Sequence, residues 1–137
     1  MSLVKLMGAT ELARNIDRIQ KALDDEFEGA AKAGAGVIRD EARAIGERVA
    51  MSDRSGGHMV KGIKTFKPEK VDKSTIRIII GVKPALWYGV FPEFGTSKMQ
   101  ARPFMRPALD NKAGEAQEAF AEHMQTALKK AVRRGFR

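Results

Sequence analysis

The sequence predicts an α+β fold, in which a long N-terminal helical segment and a long C-terminal helix pack against a small antiparallel sheet. Two observations indicate this class. Apolar residues recur at steps of three and four near both ends of the chain, and β-branched residues cluster between them. The chain has 137 residues, of which 43% are hydrophobic, so it can bury one modest core. We therefore expect a single domain over residues 1–137.

The first helical segment is predicted over residues 10–49. Its apolar positions follow the helical period, and Thr10 is placed to cap its N-terminus. The run is long for a globular protein, so the pattern also allows a break near residues 21–28. Residues 29–36 contain three glycines, which weaken a helix. We expect another backbone to approach closely there, either from the same chain or from a neighbouring subunit.

An antiparallel hairpin is predicted in the centre of the chain, with strands at residues 60–67 and 75–82 around a turn at residues 72–74. Pro68 indicates that the first strand lies at an edge or ends early, because proline cannot donate a hydrogen bond to the ladder. Polar and glycine-containing residues 51–59 predict a flexible surface loop before the hairpin.

The helical period returns over residues 107–133, which form the predicted C-terminal helix. Pro107 is tolerated at its start, and Gly135 is a suitable stop. Residues 84–94 are ambiguous between a short helix and an irregular strand. The basic run at residues 129–137 is either the solvated end of this helix, where cations complement the helix dipole, or a tail that binds a partner.

The chain is strongly basic, with a formal net charge of +8 and a pI of about 10.0. This charge favours acidic partners such as nucleic acid, an anionic membrane or an acidic protein surface. The absence of cysteine excludes disulfides and thiolate metal sites. The first residues lack the apolar core of a signal peptide, and no apolar run is long enough to cross a bilayer. We therefore expect no membrane partner.

No residue pattern typical of an active site is evident. The two histidines, His58 and His123, lack the spacing of a metal site, and Ser97 lacks the glycine pattern of a nucleophile elbow. Carboxylates at residues 24–26 diverge around a helix axis, which favours a solvated face over acid–base catalysis. We therefore expect no enzymatic activity, no cofactor and no metal.

The segment YGVFPEFGTSKMQARPFMRPALD, residues 88–110, fits neither a core strand nor an uninterrupted helix, because prolines and glycines interrupt it. It predicts an anchored loop that leads into the C-terminal helix. Glu93 requires partners if it is buried. They are either cations of the same chain, which would fix the loop, or a cation of another subunit. The cations available within the segment are Lys98, Arg102 and Arg106.

This segment closely resembles the signature of the gene-product-ten-like family named for the siphophage Hong Kong ninety-seven, whose members are neck, head–tail connector or tail-completion proteins. The matching residues are Tyr88, Glu93, Phe94, Gly95, Thr96, Ser97, Lys98, Met99, Ala101, Arg102, Pro103, Phe104, Arg106, Pro107, Ala108 and Leu109. A second and less specific match is RSGGHMVKGI, residues 54–63, in which Ser55 stands where the family has threonine and Gly62 where it has serine.

The resemblance implies a non-enzymatic structural component of a tailed phage or prophage, located in the virion and assembled in the cytoplasm of the bacterial host. It implies a ring subunit at the head–tail junction, either a hexamer or a dodecamer, that acts in tail completion. The implied partners are other neck and tail proteins and nucleic acid in the channel. The alternative is a small basic nucleic-acid-binding protein, which the charge of +8 favours.

Two sets of residues within the segment are predicted to have different roles. An assembly loop presents its tip, Lys98 and Met99, to another subunit, and aromatic anchors hold it, with Phe94 and Phe104 in the core. Residues 29–36 are the expected second surface of a head-to-tail contact. The predicted assembly-loop residues are Glu93, Gly95, Thr96, Ser97, Lys98, Met99 and Arg102, and the predicted anchors are Tyr88, Phe94 and Phe104.

Overall fold

A computed structural model describes residues 2–49 and 56–136 of the chain. A long helix lies at each end of the chain, and short strands and helices lie between them in sequence, which confirms the predicted α+β class. In chain order the elements are α1 (Ser2–Val49), α2 (Gly56–Lys61), β1 (Ile63–Thr65), β2 (Glu69–Lys70), β3 (Ile76–Arg77), β4 (Ile80–Val82), a 3-10 helix (Pro84–Gly89), α3 (Val90–Phe94) and α4 (Met105–Gly135).

Helices α1 and α4 pack against each other and run in opposite directions. Gly34 of α1 lies against the carbonyl of Ala116, and Ile19 lies against Gly135 near the end of α4. At about 1.5 Å per residue, the 48 residues of α1 span roughly 72 Å and the 31 residues of α4 roughly 46 Å. The first turns of α1 therefore extend beyond α4. The break allowed near residues 21–28 is absent, because packing against α4 supports a continuous helix.

The glycines of residues 29–36 allow the two long helices to approach closely. A Cβ atom added at Gly34 would lie 2.8 Å from the carbonyl oxygen of Ala116. Beside this point the rings of Phe27 and Phe120 meet edge to face, with centroids 5.4 Å apart. The expected close approach is therefore confirmed, and the approaching backbone belongs to the same chain. Because α4 covers this stretch, residues 29–36 do not provide the second ring surface that was predicted.

The central hairpin is less regular than predicted. Strands β1 and β4 pair antiparallel with Ile63 opposite Val82, whereas β2 and β3 pair with Glu69 opposite Arg77. The two registers differ by one residue, so the first strand accommodates an extra residue between them. The interruption falls around Pro68, which has no N–H to donate. Each strand that was predicted as continuous is therefore a pair of short strands.

Part of the predicted loop at residues 51–59 is helical. Residues 56–61 form α2, and the strand predicted from residue 60 begins only at Ile63. Met59 and Val60 are buried, which holds this turn of helix against the domain in spite of its glycines. The rest of the loop lies outside the described residues, so its flexibility stays a prediction.

The core lies where the C-terminal end of α1, the base of the hairpin and the start of α4 meet. Phe104 and Ile63 are the largest fully buried side chains. Arg43 of α1 donates two hydrogen bonds to the carbonyl oxygen of Ile63, from Nε at 2.9 Å and from Nη2 at 2.6 Å. These bonds fix the base of the hairpin on α1. The other buried members of this cluster are Ala42, Ile45, Met59 and Ala108.

From this core the hairpin runs back along α1. Its turn shares a groove with Asp24 and Phe27 of α1. The N–H and the hydroxyl of Ser74 donate to Oδ1 of Asp72 at 2.8 and 3.1 Å, and the N–H bond in particular holds the pKa of Asp72 below its usual value. The sheet therefore covers the C-terminal half of α1 and leaves its first turns uncovered.

The ambiguous residues 84–94 are helical, since a 3-10 helix leads directly into α3. Helix α4 begins at Met105, two residues before the predicted start, and continues through Gly135. The basic run at residues 129–137 is therefore the exposed end of α4 as far as it is described, rather than a separate tail.

The glycine contact between α1 and α4 gives a test of helix packing. We expect Gly34→Ala to lower the free energy of unfolding by about 1–3 kcal/mol, because the new methyl group would collide with the backbone of Ala116. Urea denaturation measures the change. The matched control is Gly36→Ala, whose added Cβ would make only an ordinary contact, at 3.7 Å from Arg39. The control should gain up to about 1 kcal/mol, because alanine favours a helix over glycine. Equal effects of the two substitutions would contradict this packing.

Candidate functional site

A buried carboxylate joins the two halves of residues 88–110. Glu93 is 6% exposed and accepts hydrogen bonds from three backbone N–H groups at the start of α4. The N–H groups of Phe104 and Met105 lie 2.8 and 3.0 Å from Oε2, and that of Arg106 lies 3.2 Å from Oε1. A carboxylate at this position satisfies donors that a helix start leaves unpaired and complements the positive end of the helix dipole.

Of the two partners predicted for Glu93, the cation of the same chain is present. Nε of Arg106 lies 3.4 Å from Oε1 of Glu93, whereas Lys98 and Arg102 form no ion pair within the described part of the chain. The main partners are nevertheless backbone N–H groups. Because these contacts within the chain enclose its carboxylate, Glu93 positions the loop and does not offer a contact surface of its own.

The turn that follows α3 requires a glycine. Gly95 has a φ angle of 74° and a ψ angle of 173°, in a region that side-chain-bearing residues rarely adopt. A Cβ atom at this position would also lie 2.8 Å from the backbone nitrogen of Ala101. The next four residues form a tight turn, in which the N–H of Thr96 donates to the carbonyl of Met99 at 2.8 Å. Backbone bonds therefore close the loop.

The assembly loop is also tied to the residues before it. The N–H of Arg102 donates to the carbonyl of Pro92 at 2.7 Å. Ser97 and Lys98 are exposed at the tip, whereas Met99 is half-buried. Of the predicted tip, Lys98 is therefore the more available side chain.

Four exposed apolar side chains, Trp87, Val90, Phe91 and Phe94, form a surface that we call the aromatic ridge. Trp87 is 66% exposed, and its ring meets that of Phe91 edge to face at a centroid distance of 5.4 Å. The guanidinium of Arg106 lies 4.8 Å from the centroid of the Phe94 ring. Exposed apolar residues that cluster in this way are typical of binding surfaces.

The predicted anchors differ in their burial. Phe104 is 1% exposed, as expected, and Tyr88 is half-buried against the core. The prediction that Phe94 is buried is wrong, since this side chain is 65% exposed. Glu93 faces inward, and the next residue of a helix lies about 100° further around the axis. The hydrogen bonds of Glu93, rather than a second buried ring, therefore hold the turn.

A second exposed apolar surface lies at the opposite end of the helix pair. We call it the terminal patch, and its members are Leu12, Ile16, Leu128, Val132 and Phe136. Leu12 and Phe136 line the same open cleft, which places the start of α1 beside the end of α4. Along α4 the patch begins at Leu128, roughly 33 Å from Arg106, which lies beside the aromatic ridge.

The described residues show neither a metal site nor a membrane span. Nε2 of His123 lies 3.0 Å from Oε2 of Glu26, but no group of three or more potential metal ligands occurs in the described part of the chain. The side chain of His58 lies outside the described residues. No described helix is both long and apolar enough to cross a membrane.

Residues 10–95 match a family described as "Bacteriophage HK97-gp10, putative tail-component". The match spans more than half of the chain and includes most of α1, the hairpin and the aromatic ridge. The chain belongs to the HK97 gp10-like family. No curated protein and no solved structure shows significant similarity to it.

Membership of the HK97 gp10-like family confirms the resemblance that the sequence predicted. The family is that of a phage tail component, so the chain is a phage structural protein. The matched range includes Tyr88, Glu93, Phe94 and Gly95. It ends before residues 96–109, and the second half of the signature therefore stays a resemblance.

The sequence interpretation missed the exposure of Trp87 and Phe91. Residues 87, 91 and 94 are spaced by four and three, which places them on one face of a helix. This signal was present in the sequence. The spacing defines such a face only if residues 84–94 are helical, and their sequence is also compatible with an irregular strand.

The two phenylalanines of the segment should differ strongly in their effect on stability. We expect Phe104→Ala to cost about 3–5 kcal/mol, because this ring is fully buried. Phe94→Ala should cost no more than about 1 kcal/mol, because it removes only an exposed ring and its contact with Arg106. Thermal and urea denaturation of the two variants measure the difference. A similar loss for both would show that Phe94 is buried in solution.

A substitution that keeps the shape of the Glu93 side chain but removes its charge tests the role of the carboxylate. Glu93→Gln should lower the free energy of unfolding by about 1.5–3 kcal/mol, because an amide replaces one acceptor oxygen by a donor facing N–H groups. The control, Glu118→Gln on an exposed face of α4, should stay within about 0.5 kcal/mol of the wild type. Urea denaturation in parallel gives both values, and an unchanged Glu93→Gln protein would rule out the capping role.

Proposed function

We propose that this protein is a subunit of the neck of a tailed phage or prophage, where it forms a ring at the head–tail junction and completes the tail. The observation that supports this role best is the pair of exposed apolar surfaces at opposite ends of one rigid helix pair. Membership of a phage tail-component family supports the class of particle.

The two ends are suited to different partners. The aromatic ridge consists mainly of large rings, whereas the terminal patch is mainly aliphatic and lies beside Lys129 and Arg133 of α4. A two-fold dimer would use one surface twice, but two unlike surfaces favour two unlike neighbours. A subunit of this length can contact a protein on the head side with one end and a protein on the tail side with the other.

The aromatic ridge is presented on a rigid support. Glu93 ties the residues before the loop to the start of α4, and backbone bonds close the loop after it. A surface that is already ordered loses little entropy on binding. Tryptophan is among the residues that contribute most to binding at interfaces. Lys98, at the exposed tip of the assembly loop, is proposed to extend this contact.

The proposed role requires no catalytic group and no cofactor. The partners are further copies of the chain in a hexamer or a dodecamer, other neck and tail proteins, and nucleic acid that passes through the channel. Assembly takes place in the cytoplasm of the bacterial host, and the product is located in the virion.

The double variant Trp87→Ser/Phe91→Ser tests this function. We expect it to melt within about 5 °C of the wild type, because both side chains are exposed and surface changes have small effects on stability. We expect it not to restore infectivity to a phage that lacks the gene, and to leave separate heads and tails. Plaque counts and electron microscopy of lysates measure these outcomes.

The matched control is Ile79→Ser/Leu109→Ser, which removes two exposed apolar side chains outside the aromatic ridge and the terminal patch. It should melt normally and restore infectivity. A terminal-patch variant, Leu12→Ser/Phe136→Ser, should also block joining. The ridge variant should remain attached either to the separate heads or to the separate tails, and the terminal-patch variant should remain attached to the other of the two. Full infectivity of a stably folded ridge variant would refute the proposed role of the ridge.

A further inference from the structure

The hairpin and the residues on either side of it are strongly basic. Residues 61–83 contain seven cations and two carboxylates, which gives +5 of the total of +8. Lys67, Lys70 and Lys73 are exposed and form no ion pair within the described part of the chain. Asp24 of α1 lines the groove beside Lys70 and Lys73 but forms no ion pair with them. We call Lys67, Lys70 and Lys73 the basic flank.

The nearby carboxylates are already engaged elsewhere. Asp72 closes the turn of the hairpin, and Glu69 lies 3.8 Å from Arg77 on the paired strand. Glu28 of α1 forms an ion pair with Lys32 at 2.8 Å. Lys32 is the main cause of the lowered pKa of Glu28, and the charges of Lys70 and Lys67 add to this effect, but no member of the basic flank forms an ion pair within the described residues.

The outward face of α4 carries the opposite charge. Glu115, Glu118 and Glu122 are exposed and follow the spacing i, i+3, i+7, which places them on one face of the helix, away from the buried Ala116. Glu115 forms an ion pair with Lys112 at 2.7 Å. Glu118 and Glu122 form none within the described residues, and we call these two residues the acidic flank.

The two flanks lie on opposite sides of α1. Lys70 and Lys73 share a groove with Asp24, whereas Glu122 shares a different groove with Glu26, and positions 24 and 26 are separated by about 200° around a helix axis. The acidic flank lies further along α1, because Gly29 lies against His123 and Gly34 against the carbonyl of Ala116. Copies placed side by side with an axial shift of about two helical turns would therefore bring the basic flank of one against the acidic flank of the next.

We propose that the basic flank and the acidic flank form the contact between neighbouring copies of this chain in the ring. The inference rests on the ring of the proposed function and names its interface. A contact between two different surfaces repeats from copy to copy and closes into a ring when the rotation permits. Complementary charge sets the register of the contact, and like charges oppose it. The aromatic ridge and the terminal patch stay free for the head and tail partners.

Charge reversal tests this interface. Lys70→Glu/Lys73→Glu and Glu118→Lys/Glu122→Lys should each weaken self-association at least about tenfold, because each places like charges in contact. The quadruple variant that combines them should associate like the wild type, and so should an equimolar mixture of the two double variants. The control, Lys129→Glu/Arg133→Glu, makes the same change in net charge as the hairpin variant but outside both flanks, and it should associate normally.

The absence of cysteine allows these contacts to be trapped at one chosen pair of positions. In a Lys70→Cys/Glu122→Cys protein the two thiols lie on opposite sides of α1, so a disulfide can form only between copies. At high protein concentration and low salt, gel electrophoresis should show a ladder of oligomers that ends at one closed species. Adding Lys73→Glu and Lys67→Glu should suppress the ladder, and adding Glu118→Lys as well should restore it.

Two results would overturn the interface. One is a ladder that does not respond to charge reversal. The other is cross-linking no greater than that of a Lys129→Cys/Glu122→Cys control. These results leave the neck role intact if the wild-type chain is found in the neck of the particle. If the chain is absent from the neck, the proposed function fails, whereas the ladder still decides whether the flanks associate.

Discussion

The arrangement of this protein depends on one buried carboxylate, that of Glu93, at the N-terminus of α4. Three backbone N–H groups that would otherwise lack partners converge on it. The contact joins α3 to the start of α4, and α4 then packs along α1 in the opposite direction. Because Glu93 faces inward, the neighbouring rings face outward. One interaction therefore both fixes the long helix and presents the aromatic ridge.

Apolar and charged residues occupy different surfaces of the molecule. The core with the largest buried side chains lies at one end of the helix pair, where the hairpin base, α1 and α4 meet. Exposed apolar residues lie at the two ends, and charged residues lie on the two sides. Such a separation suits a subunit that contacts its copies sideways and unlike proteins lengthwise. The small residues between α1 and α4 serve a different purpose, since they allow the two helices to approach within one subunit.

The long helices and the hairpin could be predicted because side-chain periodicity reports which face of an element is buried. The burial of Phe104 was predicted from its place as an aromatic anchor of the loop, and the same argument was wrong for Phe94. The role of Glu93 could not be predicted, because its partners are backbone N–H groups, which carry no signature in the sequence. The exposure of Phe94 follows from the direction of a five-residue helix, which periodicity cannot fix over so short a length. The sequence predicted a loop at Met59, because polar residues and glycines precede it, and a strand from Val60, whereas both residues are buried in α2 and tertiary burial outweighs these local preferences.

The central claim is that each subunit connects two unlike neighbours through its two ends. A localised cryo-electron microscopy reconstruction of the neck of the intact particle tests it most directly. The account predicts a ring of this chain in which the residues around Trp87 and Phe94 contact a protein on one side of the ring, and those around Leu12 and Phe136 contact a different protein on the other side. Density for the chain in which both ends face solvent, or in which one end contacts a further copy of the same chain, would contradict the claim.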